Sequence, residues 1–239
     1  WQRFNDPTLT GLVTQPLQAN TSVKTAQAAL LQARAQRDVQ SANASPSLSA
    51  SGSAQHSRSG SASGTNRFQA GFDASWEPDV FGGNRAAVNA SEADARAAET
   101  SLADVQVSLA AEVASTYIEL RGLQTRLGIA RRNLAAQADT LQITRWRVQA
   151  GLASSLDQEQ AVAAHAQTQA QIPALQSSLD QTANALAVLT GRPPGALQGS
   201  TTAVAPIPQA PAAMAVSLPA ATLRQRPDVR TAEHRVSAA

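Results

Sequence analysis

The side chains that could carry chemistry are scattered along this 239-residue chain and form no catalytic or metal-binding motif. The three histidines, His56, His165 and His234, are far apart in the sequence, and cysteine is absent. The chain therefore has no disulfide framework and no thiolate metal site. It also lacks a phosphate-binding loop and a nucleophile motif. Three unrelated surface histidines are the simplest interpretation, and we expect a protein without catalytic activity, metal or cofactor.

Two acidic residues, Asp73 and Glu77, stand in a regular pattern. From Phe68 to Glu77, apolar side chains occupy the even positions and the remaining residues occupy the odd positions. This period of two predicts a strand with one apolar and one polar face. Ten residues are enough to cross a membrane in a β-barrel, whose strands turn apolar side chains to lipid and polar ones to the lumen. On that interpretation the lipid-facing set is Phe68, Ala70, Phe72, Ala74 and Trp76, and the lumen-facing set is Gln69, Asp73 and Glu77.

The preceding stretch, residues 45–67, leaves three interpretations open. Its Ser/Gly-rich composition is typical of a flexible linker. A weaker alternation of Leu48, Ala50, Gly52 and Ala54 with serines instead predicts a first strand, with a turn over residues 59–66. The resulting hairpin could pack on a soluble core or belong to a membrane barrel. Because small barrels start at about eight strands, a barrel would require several subunits.

Long helices account for most of the remaining chain. Asn20 and Thr21 are suited to cap a helix that ends near Asn43. No proline occurs between Pro78 and Pro173, and residues 86–150 predict a helix about 100 Å long. Its apolar residues recur every seven positions, which predicts packing against another helix along a coiled-coil seam. The seam residues are Val113, Leu120, Leu127, Leu134, Leu141 and Val148.

A turn and a second helix follow. Gly151 is suited to end the first helix, and Ser155 with Gln158 has the spacing of a capping box for the next one. That helix should run to about Thr190 and bend at Pro173. A Pro/Ala-rich extended stretch follows, and a last helix starts near Asp228.

The two ends of the chain resemble each other. "LQANTSVKTAQAAL" from Leu17 aligns without gaps with "LRQRPDVRTAEHRV" from Leu223. This similarity predicts an internal repeat whose second copy begins near the C-terminus. The chain would then be roughly the first half of a two-repeat protein.

The charge content argues against nucleic-acid binding. The net charge is +2, charged residues make up 15% of the chain and aromatic residues 3%. A nucleic-acid surface needs clustered basic residues with aromatic side chains among them.

Several motifs together resemble the TolC-like outer membrane efflux proteins, in particular the NodT-type lipoprotein branch found with RND (resistance–nodulation–division) pumps. They occur in family order along nearly the whole chain: "WQRFNDPTLTGLV" at Trp1, "SWEPDVFGGNR" at Ser75, "VASTYIELRGLQTRL" at Val113, "AGLASSLDQEQA" at Ala150, "IPALQSSLDQTANALAVLTGRPP" at Ile172 and "LRQRPDVRTAEHRV" at Leu223.

The resemblance implies half of an outer membrane efflux protein fold. That fold is mainly α, with a long antiparallel coiled-coil hairpin and a β-hairpin that contributes to an oligomeric transmembrane β-barrel. Four segments follow: equatorial helices over 1–44, the transmembrane β-hairpin over 45–84, the periplasmic helical hairpin over 85–190, and an equatorial segment with the first helix of the second repeat over 191–239.

The resemblance also implies location and partners. It places the protein in the outer membrane of a Gram-negative bacterium, with a long periplasmic portion and a lipid anchor on a cysteine upstream of Trp1. The full-length protein would be a homotrimer in outer membrane lipid that works with a periplasmic adaptor protein and an RND inner-membrane pump. The adaptor would dock at the periplasmic tip formed by Ala150, Gly151, Leu152, Ala153, Ser154 and Ser155.

The function that follows is a passive exit duct for drugs or other small molecules. A type I secretion duct for proteins is an alternative within the same channel class. A periplasmic adaptor also carries a long helical hairpin, but strands should then flank both ends of that hairpin. A soluble coiled-coil scaffold would require residues 45–66 to be a linker.

Overall fold

The computed structural model describes residues 4–14, 16–60, 64–197, 199, 203–209 and 220–239, and most of them are helical. The seven helices and two strands found among these residues are α1 (Pro7–Thr14), α2 (Pro16–Ala19), α3 (Thr21–Asn43), β1 (Ser47–Ser57), β2 (Thr65–Ser75), α4 (Gly83–Gln149), α5 (Ser155–Leu189), α6 (Ala220–Leu223) and α7 (Pro227–Ala238). The mainly helical class with one β-hairpin is the predicted one. Trp1, at the start of the first quoted motif, lies outside the described residues.

Helix α3 begins and ends where the sequence predicts. The Ser22 N–H donates to Asn20 Oδ1 at 2.7 Å, which satisfies one of the backbone donors that a helix leaves free in its first turn. The helix ends at Asn43, three residues before Pro46, and strand β1 follows directly after that proline.

Helix α4 is a single helix of 67 residues, and both of its ends are capped. At its start, the Asp79 carboxylate accepts the N–H groups of Asn84 and Arg85 at 3.3 and 2.8 Å. These hydrogen bonds, above all the one from Arg85, lower the pKa of Asp79. At its end, the Leu152 N–H donates to the Arg147 carbonyl at 2.8 Å. This bond belongs to a Schellman motif, which needs the left-handed backbone of Gly151, at φ +72°.

Helix α5 starts one residue away from the predicted capping box. Ser154 is the N-cap, and its hydroxyl accepts the Asp157 N–H at 3.1 Å, while the Asp157 carboxylate accepts the Ser154 N–H at 3.0 Å. The predicted pair, Ser155 and Gln158, is therefore wrong. The structure uses the serine that places a carboxylate at the third helical position, where an anion is also favoured by the helix dipole. Pro173 lies inside α5, and the bend there stays a prediction.

The described chain divides into two compact units. The first comprises Trp1–Lys24 and Val105–Ser217. Its core is apolar and includes Leu9, Val113, Leu120 and Leu186, none of which is more than 1% exposed. Burial of such side chains contributes about 1.5–3 kcal/mol each.

Helix α5 is tied to the amino-terminal helices of the same unit. The Asn20 side-chain amide donates to the Leu189 carbonyl at 2.8 Å. Gly191, at φ +69°, lies against Ala19, where a Cβ would come within 3.1 Å of the alanine Cβ. Glycine is needed there for both its conformation and its size.

The second unit comprises Thr25–Asp104 and Leu218–Ala239 and contains the β-hairpin. Arg34 Nη2 of α3 lies 3.9 Å from Glu99 Oε2 of α4. Helix α7 is attached to α4 by a buried hydrogen bond of 2.8 Å, in which the Thr231 hydroxyl donates to that of Thr100. The four sequence segments given above do not coincide with these two units, and they stay a prediction.

Candidate functional site: the strand hairpin and the helical turn

Strands β1 and β2 pair in antiparallel register over eleven residues each. Even-numbered residues of β1 pair with even-numbered residues of β2. The apolar positions predicted in each strand therefore lie on the same face of the hairpin. The apolar side carries the pairs Leu48–Ala74, Ala50–Phe72, Gly52–Ala70 and Ala54–Phe68, and at its turn end the hydrogen-bonded polar pair His56–Asn66. The stretch is therefore paired strand structure and not a linker.

The apolar side of the hairpin is uncovered. Phe68 and Phe72 are 78% and 84% exposed, and Leu48 is 73% exposed. Every residue of both strands is exposed, so none of the described residues forms a core against which the hairpin packs. A two-stranded hairpin is marginal in water on its own, and two uncovered phenylalanines on one side mark an interaction surface.

The other side of the hairpin is made of small and polar residues. It pairs Ser49 with Asp73 and Ser53 with Gln69. Arg67, opposite Gln55, lies on this side near the turn and was not among the predicted lumen-facing residues. Its odd position in the same alternation is a sequence signal that would have identified it.

Two of the predicted strand residues lie beyond the strand. Strand β2 ends at Ser75, so Trp76 and Glu77 follow it and are not strand residues, which corrects the prediction. The physical reason is the partner strand. Continuing the register would place Pro46 opposite Trp76, and proline has no N–H to donate to the ladder. At the other end the turn is shorter than predicted, because Thr65 and Asn66 already pair.

The helical turn also exposes apolar side chains. Ala150, Gly151, Leu152, Ser154 and Ser155 are exposed, and Ala153 is half-buried. Nearby, Trp146 is 59% exposed and Leu156 is 64% exposed, while Leu152 reaches 71%. The Schellman motif and the capping box hold the backbone of this turn, so these side chains project from a defined loop.

The predicted coiled-coil seam is buried over its first part. Val113, Leu120, Leu127 and Leu141 are buried, whereas Leu134 and Val148 are half-buried. Between Leu127 and Leu134 in the sequence, Arg131 Nη2 of α4 donates to Gln176 Oε1 of α5 at 3.2 Å. This hydrogen bond joins α4 to α5 within the first unit, and the packing of the seam residues themselves against α5 stays a prediction.

A buried polar network was not predicted from the sequence. Tyr117 is fully buried, and its hydroxyl donates to Asp6 Oδ2 at 2.8 Å while accepting from Arg121 Nε at 3.0 Å. The guanidinium carbon of Arg121 also lies 4.9 Å from the centre of the tyrosine ring. Burial raises the pKa of Tyr117, so the hydroxyl stays protonated and able to donate.

Arg121 extends this network to a distant part of the chain. Its Nη1 donates to Gln124 Oε1 at 2.8 Å and to the Ala203 carbonyl at 2.6 Å. Asp6 in turn caps α1, since its Oδ1 accepts the N–H groups of Thr8 and Leu9. Residues before α1 and after α5 are thereby fixed to the same turn of α4. The four-residue spacing of Tyr117 and Arg121 was visible in the sequence, but their partners were not.

The described residues contain no cluster of His, Cys, Asp or Glu that could hold a metal ion. Within the same residues, none of the helices has the length and apolar character needed to span a membrane.

The hairpin and the long helix pair together are characteristic of one class of protein. Residues 12–192 match the family described as "Outer membrane efflux protein", and the chain belongs to this family. This confirms the resemblance inferred from the sequence motifs and excludes the adaptor and scaffold alternatives. The fold is half of that of the family's channels.

Among curated relatives, the chain is 30% identical to nodulation protein T of Rhizobium leguminosarum bv. trifolii, over 98% of this chain and 51% of that protein. It is also 30% identical to the pyoverdine export outer membrane protein OpmQ of Pseudomonas aeruginosa, over 100% of this chain and 52% of that protein. The chain thus spans about half the length of the curated relatives it matches. Among solved structures, the outer-membrane channel OprN superposes with a TM-score of 0.87 at 36% identity, covering 100% of this chain and 55% of OprN.

Proposed function

We propose that this chain forms part of an outer membrane channel, the passive exit duct of a tripartite efflux pump for drugs or other small molecules. The observation that carries the proposal is the β-hairpin. One face of the hairpin is largely apolar and the other is small and polar, and the apolar face is uncovered. The eleven-residue strands are long enough for a membrane barrel. Family membership supports the same assignment.

The channel requires more strands than this chain provides. Two strands cannot close a barrel, and small barrels start at about eight. A protein about twice as long with one hairpin per repeat would have four strands, and a homotrimer would have twelve. We therefore propose a trimer in the outer membrane, with the helices in the periplasm.

The proposed partners are a periplasmic adaptor protein and an RND inner-membrane pump. The helical turn at Ala150–Ser155 is the proposed contact with the adaptor, together with the exposed Trp146 and Leu156 beside it. Exposed aromatic and leucine side chains on a capped, defined turn are suited to an apolar protein contact. The family description and the export function in the name of OpmQ favour efflux of small molecules over secretion of proteins.

The test is single-channel recording of the full-length protein in a planar bilayer. We expect discrete conductance steps, because a closed barrel leaves a water-filled lumen. Ala70→Pro should abolish them, since it removes an N–H from the middle of β2. The control is Gln209→Pro, at an exposed coil position that directly follows Pro208.

Absence of conductance from the unaltered protein would contradict the proposal, as would steps that persist in Ala70→Pro. Loss of conductance in both proline variants would indicate a general folding defect. A milder second variant, Ala70→Gly, weakens the strand without removing the N–H and should then reduce the number of open channels.

A further inference from the structure

The charged residues of the hairpin are arranged unevenly along its polar face. Within β1 and β2, both described in full, the side chains that carry a full charge are Arg67 and Asp73. Both lie at odd positions and therefore on the polar face. Arg67 lies two residues from the turn end of β2, and Asp73 lies two residues from the end that leads to α4.

Nothing among the described residues neutralises these two charges. Arg67 faces Gln55 across the ladder, and Asp73 faces Ser49. The positions between them on the same face are Gln69 and Gly71, and their partners are Ser53 and Ser51. Neither charge belongs to an ion pair within the described part of the chain.

The two charges are too far apart to cancel each other in salt solution. Six residues of a strand at about 3.4 Å each separate them by about 20 Å. The Debye length is about 10 Å at 0.1 M salt. Each residue therefore acts on its own end of the hairpin, where the exposed Arg58 after β1 and Glu77 after β2 add charge of the same sign.

We propose that Arg67 and Asp73 make the channel lumen electrically polar, positive at its outer end and negative toward the periplasm, so that the lumen conducts ions asymmetrically. This inference rests on the proposed function, which places the turn end of the hairpin at the cell exterior and its polar face toward the lumen. Symmetry repeats both charges in each subunit, so that each residue forms a ring.

The asymmetry has a defined direction. A voltage that drives cations from the periplasmic end brings them in past the Asp73 ring, while anions enter past the Arg67 ring. Both ions are attracted at their entrance, and the lumen fills with carriers. The opposite voltage draws each ion through the end that repels it, so the lumen is depleted and the current is smaller.

The experiment is the current–voltage relation of the full-length protein in a planar bilayer with 0.1 M KCl on both sides. Protein is added to one side only, so that the bulky helical part stays on that side and the orientation is uniform. The variants are Arg67→Gln, Asp73→Asn and the exchange Arg67→Asp with Asp73→Arg. The control is Arg230→Gln, an identical loss of charge at an exposed position of α7, outside the hairpin.

Each single variant is expected to change the ratio of currents at opposite voltages by about twofold, because the three charges of a ring, each at about 10 Å and screened by 0.1 M salt, together change the local ion concentration by about that factor. The exchange variant should shift the ratio in the opposite direction from the unaltered protein. The effect should disappear at 1 M KCl, where the Debye length is about 3 Å. Arg230→Gln should leave the ratio unchanged.

The failure of this inference differs from the failure of the proposed function. Normal conductance steps with an unchanged current ratio in all three hairpin variants would overturn the polar lumen and leave the channel intact. The same shift in Arg230→Gln as in Arg67→Gln would overturn it as well, since the position of the charge would then be irrelevant. Absence of steps in the unaltered protein would contradict the channel itself.

Discussion

At the scale of single residues, the buried network of Tyr117 and Arg121 attaches two non-helical segments of the first unit to α4, one before α1 and one after α5. An arginine that is 2% exposed is unfavourable without partners, and here it has a phenol, an amide and a carbonyl. Asp6 supplies the opposite charge through the tyrosine hydroxyl. These partners therefore supply the hydrogen bonds that water would otherwise make to the Arg121 guanidinium. Through them the segments that contain Asp6 and Ala203 are held against α4.

Replacing Tyr117 with phenylalanine should destabilise the first unit. The ring and its apolar contacts remain, but Asp6 and the Nε of Arg121 each lose a hydrogen-bond partner. Leaving such groups unsatisfied costs about 1–3 kcal/mol. Thermal unfolding of the full-length protein followed by circular dichroism should show a lower midpoint than for the unaltered protein.

The matched control for this change is Ser115→Ala, which removes one hydroxyl from an exposed position two residues away on α4. Surface substitutions of this kind usually change stability by less than about 0.5 kcal/mol. Equal midpoints for Tyr117→Phe and Ser115→Ala would show that the network contributes no net stability.

At the scale of secondary structure elements, the sequence predicted the helices better than it predicted their caps. Long runs without proline identify α3 and α4, and good helix formers with regularly spaced leucines identify α5 in spite of Pro173, because helix formation depends mainly on local composition and periodicity. The capping box was displaced by one residue, since "SSLDQ" offers two serines and the spacing rule accepts both. The choice between them depends on the third helical position, where the structure has Asp157.

Ser154→Ala should therefore loosen the start of α5, and Ser155→Ala should not. The first substitution removes the acceptor for the Asp157 N–H, whereas Ser155 is already the first residue of the helix. Loss of a serine N-cap should accelerate hydrogen exchange in the first turn of α5 by about fivefold. Mass-spectrometric exchange on the peptide that spans the turn compares the two variants directly, and equal acceleration in both would refute the assignment of the cap.

The same cap should respond to acid. Hydrogen bonds from the Ser154 hydroxyl and N–H lower the pKa of Asp157. A lowered folded-state pKa means that the contribution of the carboxylate is present above the ordinary aspartate pKa of about 3.9 and is lost as the pH falls through the lowered value. Protection factors at the start of α5 should stay constant from about pH 7 to pH 5 and decrease below about pH 4. In Ser154→Ala this decrease should be smaller.

At the scale of the whole molecule, the hairpin shows what a sequence pattern can and cannot decide. Alternation predicted both strands and their faces, because the side-chain period of a strand is two. Composition alone favoured a linker and also left a soluble hairpin open. The pairing register excludes the linker, and the 84% exposure of Phe72 shows that the described part of the chain provides no core for the hairpin. The contacts of Asp6 and Ala203 with α4 could not be predicted, since they join residues 82 or more positions apart.

The orientation of the two hairpin faces leads to a direct measurement on adjacent residues. These 239 residues contain no cysteine, so a single one can be introduced here in the full-length protein, once any reactive cysteine elsewhere is replaced, and labelled with an environment-sensitive fluorophore. Phe72→Cys places the label on the apolar face, and Asp73→Cys places it one residue away on the polar face.

In vesicles of outer membrane lipid, the label at position 72 should emit at shorter wavelength and be quenched by brominated lipid, because apolar barrel residues face the hydrocarbon. The second label should be quenched by iodide in water. A soluble hairpin would leave both labels insensitive to the lipid quencher, and identical behaviour of the two labels in lipid would contradict the separation of the faces.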